Sequence, residues 1–223
     1  MAENEQLEGE PYPTHLWLPG AGASQPIVVP RRPHMPEAAI AWLEERLRST
    51  KCFLEYGMGG STWLAASLGV PQIVSVESDA AFAEAVRAEI EGMGSESRIE
   101  IVRANIGPTG EWGYPTGFEA FRRWPDYLLD AWERIRALSL SPDLVLIDGR
   151  FRVGCFLASL LESRPGTIIM FDDYLSRMGE YSHVEAFLAP TEFVDRCAIF
   201  TVPEEVRVRD VGLALARFVC RPE

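Results

Sequence analysis

An α/β domain, with a mostly parallel sheet covered by helices on both faces, is what this sequence predicts. Three observations carry that expectation. Short apolar runs alternate with stretches of helical period from Cys52 onward. The runs, CFLEY, QIVSVE, IEIVRA, DLVLID and TIIMFDD, have the length and the β-branched content of buried strands. A glycine-rich turn, FLEYGMGGST, carries the first strand straight into a helix. At 223 residues with 47% apolar and 24% charged side chains, the chain suits one domain with a sizeable core.

The elements follow in order. Residues 1–35 are rich in Pro, Gly and acid and show no sustained period, which predicts an irregular N-terminal arm ahead of a single domain at 36–223. Pro36 suits a helix start, with Glu37 in the first turn, Arg46 and Arg48 in the last, and Ile40, Leu43 and Leu47 on one face. After the first strand, a helix at 61–68 closes at Gly69 and Pro71. Ser78 is placed to cap a helix whose Phe82, Val86, Ile90 and Met93 share a face, ending near Gly92. A helix at about 126–138 buries Leu128, Trp132 and Ile135. Val153, Phe156, Leu157, Leu160 and Leu161 make the stripe of the next, and Pro165-Gly166 turns it into a strand. In the last third, a helix is expected near 183–188. Two longer runs, EFVDRCAIFTV and DVGLALARFVC, read as strands that pair antiparallel at the sheet edge.

Composition narrows the partners. With 21 Lys and Arg against 33 Asp and Glu, the net charge is −12, which opposes phosphate backbones and anionic membrane surfaces. No nucleic acid and no membrane are therefore expected as partners. No apolar run is long enough to span a bilayer, and the acidic start, MAENEQLEGEPYP, is unlike a signal peptide, so a cytoplasmic protein is expected. Cys52, Cys155, Cys197 and Cys220 are scattered without a CxxC pair and read as buried free thiols.

The sharpest local signal is the turn itself. Gly57, Gly59 and Gly60 let backbone N–H groups approach a ligand at a helix N-terminus, although tight strand-to-helix turns use glycine without any ligand too. Glu77, about 20 residues beyond Gly57, closes the second strand where a carboxylate can accept both hydroxyls of a ribose. Glu55 precedes the glycines, and its charge suits a cationic ligand group. A nicotinamide dinucleotide is disfavoured, because Thr62 stands where G-x-G-x-x-G needs its last glycine and Glu55 would not help a pyrophosphate.

With an acid, one residue, then Gly-x-Gly, and a second acid ending strand two, the sequence resembles the class I S-adenosylmethionine-dependent methyltransferases over about Cys52 to Cys220. That resemblance implies a Rossmann-like fold with a seven-stranded, mostly parallel sheet and an antiparallel edge pair. It implies that Glu55, Gly57, Gly59 and Ser61 hold the methionine end of S-adenosylmethionine, Glu77 the ribose and Asn105 the adenine. Asp148 would lie beside the transferable methyl. The pattern departs at Gly60-Ser61, where many members have a residue and then Gly.

Asp148 ends one strand and Asp172-Asp173 the next, so the three carboxylates converge if those strands are neighbours. Their spacing resembles that of the catechol-type O-methyltransferases, with Asp173 in place of an Asn and Phe151 in place of that family's catalytic Lys. Three readings stand: a divalent cation, Mg²⁺ or Ca²⁺, held by the acids; metal-free acid/base work, with Asp173 as general base; or a structural pair that caps a turn and binds Arg150 or Arg177. Tyr174 follows and can face an acceptor or pack. The irregular stretch 107–115 offers Trp112 and Tyr114 as a lid, or as core plugs. Trp17 and His15 of the arm can cover the same cleft or pack on a partner subunit, while His34 and His183 read as surface or capping residues. Methyl transfer to an oxygen or nitrogen of a small molecule is the expected function, with Asp148, Asp172 and Asp173 as the catalytic groups. The alternatives are a non-catalytic methyltransferase-like binding module and a nicotinamide-dependent oxidoreductase. The arm and the edge strands are the candidate oligomer contacts.

Overall fold

The computed structural model describes residues 27–223, so the arm is seen only from Ile27 on, and Trp17 and His15 lie outside the described residues. Residues 27–36 carry no helix or strand. From there the elements are α1 (Glu37–Leu47), β1 (Cys52–Tyr56), α2 (Gly60–Ser67), β2 (Gln72–Glu77), α3 (Ala80–Gly92), β3 (Arg98–Arg103), α4 (Asp126–Ala137), β4 (Leu144–Ile147), α5 (Arg152–Glu162), β5 (Ile168–Phe171), α6 (Met178–Tyr181), β6 (Glu192–Val194), β7 (Cys197–Thr201) and α7 (Val208–Phe218).

The strands form one sheet in the order β3-β2-β1-β4-β5-β7-β6. β1 to β5 are mutually parallel, and β7 runs antiparallel to both of its neighbours, β5 and β6. The alternation of side chains along each strand divides the core in two. Leu54, Tyr56, Val145, Ile147, Ile169 and Phe171 point to the face covered by α4, α5 and α7. Phe53, Ile73, Leu144, Leu146 and Met170 point to the face covered by α1, α2 and α3. β1, β4 and the last three residues of β5 are buried along their length, which is why they read as continuous apolar runs.

Several expectations need correcting. DVGLALARFVC is not a strand: it is the helix α7, whose Val211, Ala214, Leu215 and Phe218 recur at helical spacing and pack on the α4–α5 side of the sheet. The antiparallel pair comes instead from EFVDRCAIFTV folding back on itself, as β6 and β7 joined through Asp195 and Arg196. The cap of α3 is Asp79, whose carboxylate accepts from the N–H groups of Ala81 and Phe82, while the Ser78 hydroxyl is turned to Glu77. The region expected to be helical near 183–188 is a 3-10 turn at Ser182–Ala186 that continues the short α6. Cys52, Cys155 and Cys197 are buried free thiols, but Cys220 lies beyond the end of α7 and is exposed. No helix among the described residues is long and apolar enough to cross a membrane.

Candidate active site

The C-terminal ends of β1, β2, β4 and β5 lie side by side and bring the singled-out residues to one edge of the sheet. Gly57 has φ +97°, and a Cβ there would come within 2.9 Å of the Gly149 backbone. The two glycines thus let the ends of β1 and β4 touch. Gly60 serves another contact: a Cβ on it would lie 2.0 Å from the carbonyl oxygen of Arg32, so the arm crosses directly over the first turn of α2. The N–H of Gly59 donates to Thr62 Oγ1 at 2.8 Å. Thr62, the residue that breaks the dinucleotide pattern, therefore closes the helix start.

Glu55 and Ser61 are brought together as a buried pair. Glu55 has no exposed surface, and its carboxylate accepts from Ser61 Oγ at 2.6 Å and from Ser75 Oγ. Burial, only partly offset by these hydroxyls and that of Thr62, pushes its carboxyl up to about 7. Glu77 is half-buried at the end of β2. Its Oε1 accepts from the N–H groups of Ser78 at 2.6 Å and Asp79 at 2.7 Å, and Oε2 is left without a protein donor among the described residues. Burial pushes this carboxyl up to about 7 as well, against the pull of those two donors. Asn105 is exposed just past β3, its Oδ1 turned back to the N–H of Gly107 at 3.2 Å.

Beside these, Asp148, Asp172 and Asp173 place carboxylate oxygens within 4.8 Å of one another. The arginines that balance them are Arg152 and Arg196, not Arg150 or Arg177. Buried Arg152 binds Asp148 at 3.1 Å and Asp173 at 3.2 Å, and also donates to the carbonyls of Asp148, Gly149 and Asp172. Arg196 makes a two-pronged contact with Asp172, at 2.9 and 2.7 Å, and reaches Asp173 at 3.0 Å. Cys197 donates its thiol to Asp172 at 3.0 Å.

These partners separate the acids. Asp172 is fully buried, yet the bonds from Arg196 and Cys197 outweigh burial and hold its carboxyl below the usual range. Burial, with the charges of Asp172 and Asp173, holds Asp148 well above that range in spite of Arg152. The partners therefore set the two acids apart, Asp172 toward its charged form and Asp148 toward its neutral one. A divalent cation does not fit this arrangement: every carboxylate already faces a guanidinium, and the two arginines supply the two positive charges the ion would bring.

The stretch 107–115 folds as a 3-10 turn at Glu111–Gly113 with a bridge between Thr109 and Pro115. Trp112 is 71% exposed and Tyr114 48%, so neither is a core plug. The Trp112 ring lies 5.3 Å from that of His34. The carbonyl of His34 accepts from Arg196 at 2.9 Å. Arm, loop and acidic cluster are thereby linked across the sheet edge. Tyr174 is core: fully buried, it packs on Phe171 and donates to Glu185 at 2.8 Å. His183 stacks on Phe218, away from the cluster. Arg196 was the residue sequence reasoning missed. Its only signal is a lone cation between Asp195 and Cys197 in a strand-like run, and sheet order alone puts it on Asp172.

A scan against family models and a search of curated proteins find no match. Among solved structures, a methyltransferase-like protein from Silicibacter pomeroyi is 36% identical, with a TM-score of 0.77, over 86% of this chain and 100% of that one. A cofactor-bound protein from MTB matches at 20% identity and TM-score 0.51, over 77% of this chain and 85% of that one. A protein from Staphylococcus aureus described as a caffeoyl-CoA O-methyltransferase matches at 14% identity and TM-score 0.50, over 77% and 86%. The last two show a shared fold.

Proposed function

The chain belongs to the class I S-adenosylmethionine-dependent methyltransferase family, and we propose that it moves the methyl group of S-adenosylmethionine to an oxygen or nitrogen of a small-molecule acceptor. The observation that carries this is Glu77. One of its oxygens is pinned by two backbone N–H groups, and the other is free to accept from a ribose diol at the end of β2. A dinucleotide would need donors for its phosphates here, and the turn offers buried acids in their place.

When bound, the cofactor supplies an electrophilic methyl on a sulfonium. An acceptor hydroxyl or amine that takes the methyl would give up a proton, which a side chain of this protein has to receive. Asp148 is placed for that proton. In the ligand-free protein burial and its acidic neighbours raise the affinity of its carboxyl for a proton. A positive charge bound beside it favours the carboxylate, so occupancy of the donor site prepares the base. Asp173, held between Arg152 and Arg196, and Asp172, saturated by Arg196 and Cys197, keep Asp148 and Arg152 in position. Glu55 acts through the turn: it binds Ser61 and Ser75 and so ties α2 to β1 and β2. Most of the rate would come from alignment.

Binding tests this directly. S-adenosylhomocysteine at 100 times its Kd stabilises the native state by ~2.7 kcal/mol, a rise in melting temperature of roughly 5 to 11 °C for a chain of this size. NAD and NADP should produce no rise. A rise with NAD and none with S-adenosylhomocysteine would overturn the proposal.

A further inference from the structure

Building on the methyl-transfer reading, we propose that the acceptor carries an oxyanion, a carboxylate or a phosphate, and that Arg150 and Arg177 bind it beside the acidic cluster. Arg150 is only 7% exposed, and its Nε is buried without a hydrogen-bond partner. No carboxylate pairs with its guanidinium among the described residues. Burial and the guanidinium of Arg152 weigh on it most, with the hydroxyls of Tyr127 and Tyr181 and then the guanidinium of Arg177 also near. An arginine does not escape this position by losing its proton. A buried cation without a counter-charge is costly, and a ligand oxyanion removes the cost.

Arg152 is not available for that task, because two carboxylates and three backbone carbonyls take up its donors. Arg150 and Arg177 are. Arg177 is exposed, and its Nη1 lies 3.4 Å from the Tyr181 hydroxyl. The Tyr181 ring in turn lies 5.9 Å from the Arg152 guanidinium, so Tyr181 is the common neighbour of this arginine group. Arg150 follows Asp148 by two residues, and the N–H of Arg177 is bonded to the carbonyl of Asp173 at 3.1 Å. Arg152, which binds Asp148 and Asp173, also lies against the Tyr181 ring, so an anion on the Tyr181 side is one guanidinium away from the carboxylates that would handle the acceptor's proton. A forked guanidinium suits either oxyanion. Half-buried Glu223 also has an Oε2 without a partner, yet it forms no ion pair with Arg150. Burial, eased by the N–H of Val153, pushes its carboxyl up to about 7.

Calorimetric titration of the full chain with inorganic phosphate and with benzoate, each with and without S-adenosylhomocysteine, tests the site. At least one probe should bind the wild type, and the stronger of the two assigns the oxyanion. Arg150→Met should weaken that binding on the order of tenfold to a hundredfold, as expected for the loss of hydrogen bonds to a charged group. It should also raise the melting temperature of the ligand-free protein by roughly 2 to 4 °C, because an unpaired buried cation is removed. Affinity for S-adenosylhomocysteine should not change. If Arg150→Met does not fold, Arg177→Gln, at an exposed position, should still weaken the probe. Failure of both probes to bind the wild type, or unchanged probe affinity in both variants, overturns the inference. So does a gain in probe affinity on Glu223→Gln, which would make the C-terminal residue the internal counter-ion. Probe binding without any binding of S-adenosylhomocysteine would leave the anion site standing and break the donor reading instead.

Discussion

The two halves of the sheet edge handle buried acids in opposite ways. At the ends of β1 and β2, Glu55 and Glu77 are satisfied by neutral donors: two serine hydroxyls for the first, two backbone N–H groups for the second. At the ends of β4 and β5, Asp148, Asp172 and Asp173 are satisfied by guanidinia. Neutral donors soften the desolvation of a carboxylate without cancelling its charge, so the first half remains a place where a cation gains. Guanidinia cancel the charge, and with Arg150 and Arg177 added the second half turns cationic and favours an anion. A sulfonium donor on one side and an anionic acceptor on the other is the pairing this division supports.

The contrast breaks most visibly at Arg196. Arg196→Met leaves the fully buried Asp172 carboxylate with its thiol donor and, as its cation, only Arg152, which bonds its carbonyl and not its carboxylate. Removing one partner of a buried pair costs 3 to 5 kcal/mol; since Arg196 is itself partly exposed, the low end, about 3 kcal/mol, is expected. Thermal unfolding should show a fall of roughly 6 to 12 °C. A loss below ~1 kcal/mol would mean that water or Cys197 balances Asp172 unaided, and that the two halves of the edge differ little in how they hold charge.

Glu77→Ala tests the neutral half with the next largest effect. It removes charge-assisted hydrogen bonds to the ribose worth ~1.5 to 3 kcal/mol each, so most of the stabilisation by S-adenosylhomocysteine should disappear. The ligand-free melting point should fall by only a few degrees, the cost of the two backbone N–H groups losing their acceptor, since no ion pair is lost. A full ligand shift in the variant would move the ribose elsewhere.

Much of this division was legible in the sequence, and the omissions have physical causes. Glu55, Glu77, Asp148 and Asp172 were readable because each ends a parallel strand, and strand ends in such sheets share one edge. What satisfies each acid was not readable. Ser75 reaches Glu55 from a neighbouring strand, and Arg196 reaches Asp172 only because β7 lies next to β5. A strand-like sequence for α7 concealed the break between β6 and β7, since valines and alanines suit either structure until tertiary burial selects a face. The cap at Asp79 was missed by one residue because Ser78 and Asp79 are both able caps, and the turn of the Ser78 hydroxyl to Glu77 is a tertiary detail that the sequence does not show.

pH sharpens the same contrast at smaller scale. Glu55 rises from an ordinary 4.5 to about 7 on folding, so the native state holds a proton that the unfolded chain releases. The stability this contributes is fully present below about pH 4.5 and is lost as pH rises through about 7. Glu77, raised likewise, adds in the same direction. Urea unfolding at pH 5 and pH 8 should show Glu55→Gln losing less stability than wild type across that interval, by on the order of 2 kcal/mol, since a tenfold change in proton affinity corresponds to ~1.36 kcal/mol. Equal losses would mean that Glu55 is ionised in the native state, with Ser61 and Ser75 sufficient to hold its charge.

The smallest effect belongs to metal. Three convergent carboxylates are the usual donors for Mg²⁺ or Ca²⁺, and their mutual approach to 4.8 Å is close enough for a shared ion. Yet an ion would have to displace Arg152 from Asp148 and Asp173, and Arg196 from Asp172 and Asp173, leaving two partly buried guanidinia unpaired. Mg²⁺ keeps several waters and gives them up reluctantly, so it is poorly matched to donors already committed to arginine. EDTA should therefore shift the melting temperature by less than about 1 °C, and titration with Mg²⁺ should show no submicromolar binding, with or without S-adenosylhomocysteine. Binding at that level, especially with release of a proton, would show that the arginines yield to the ion and that the β4–β5 half is built to exchange one counter-charge for another.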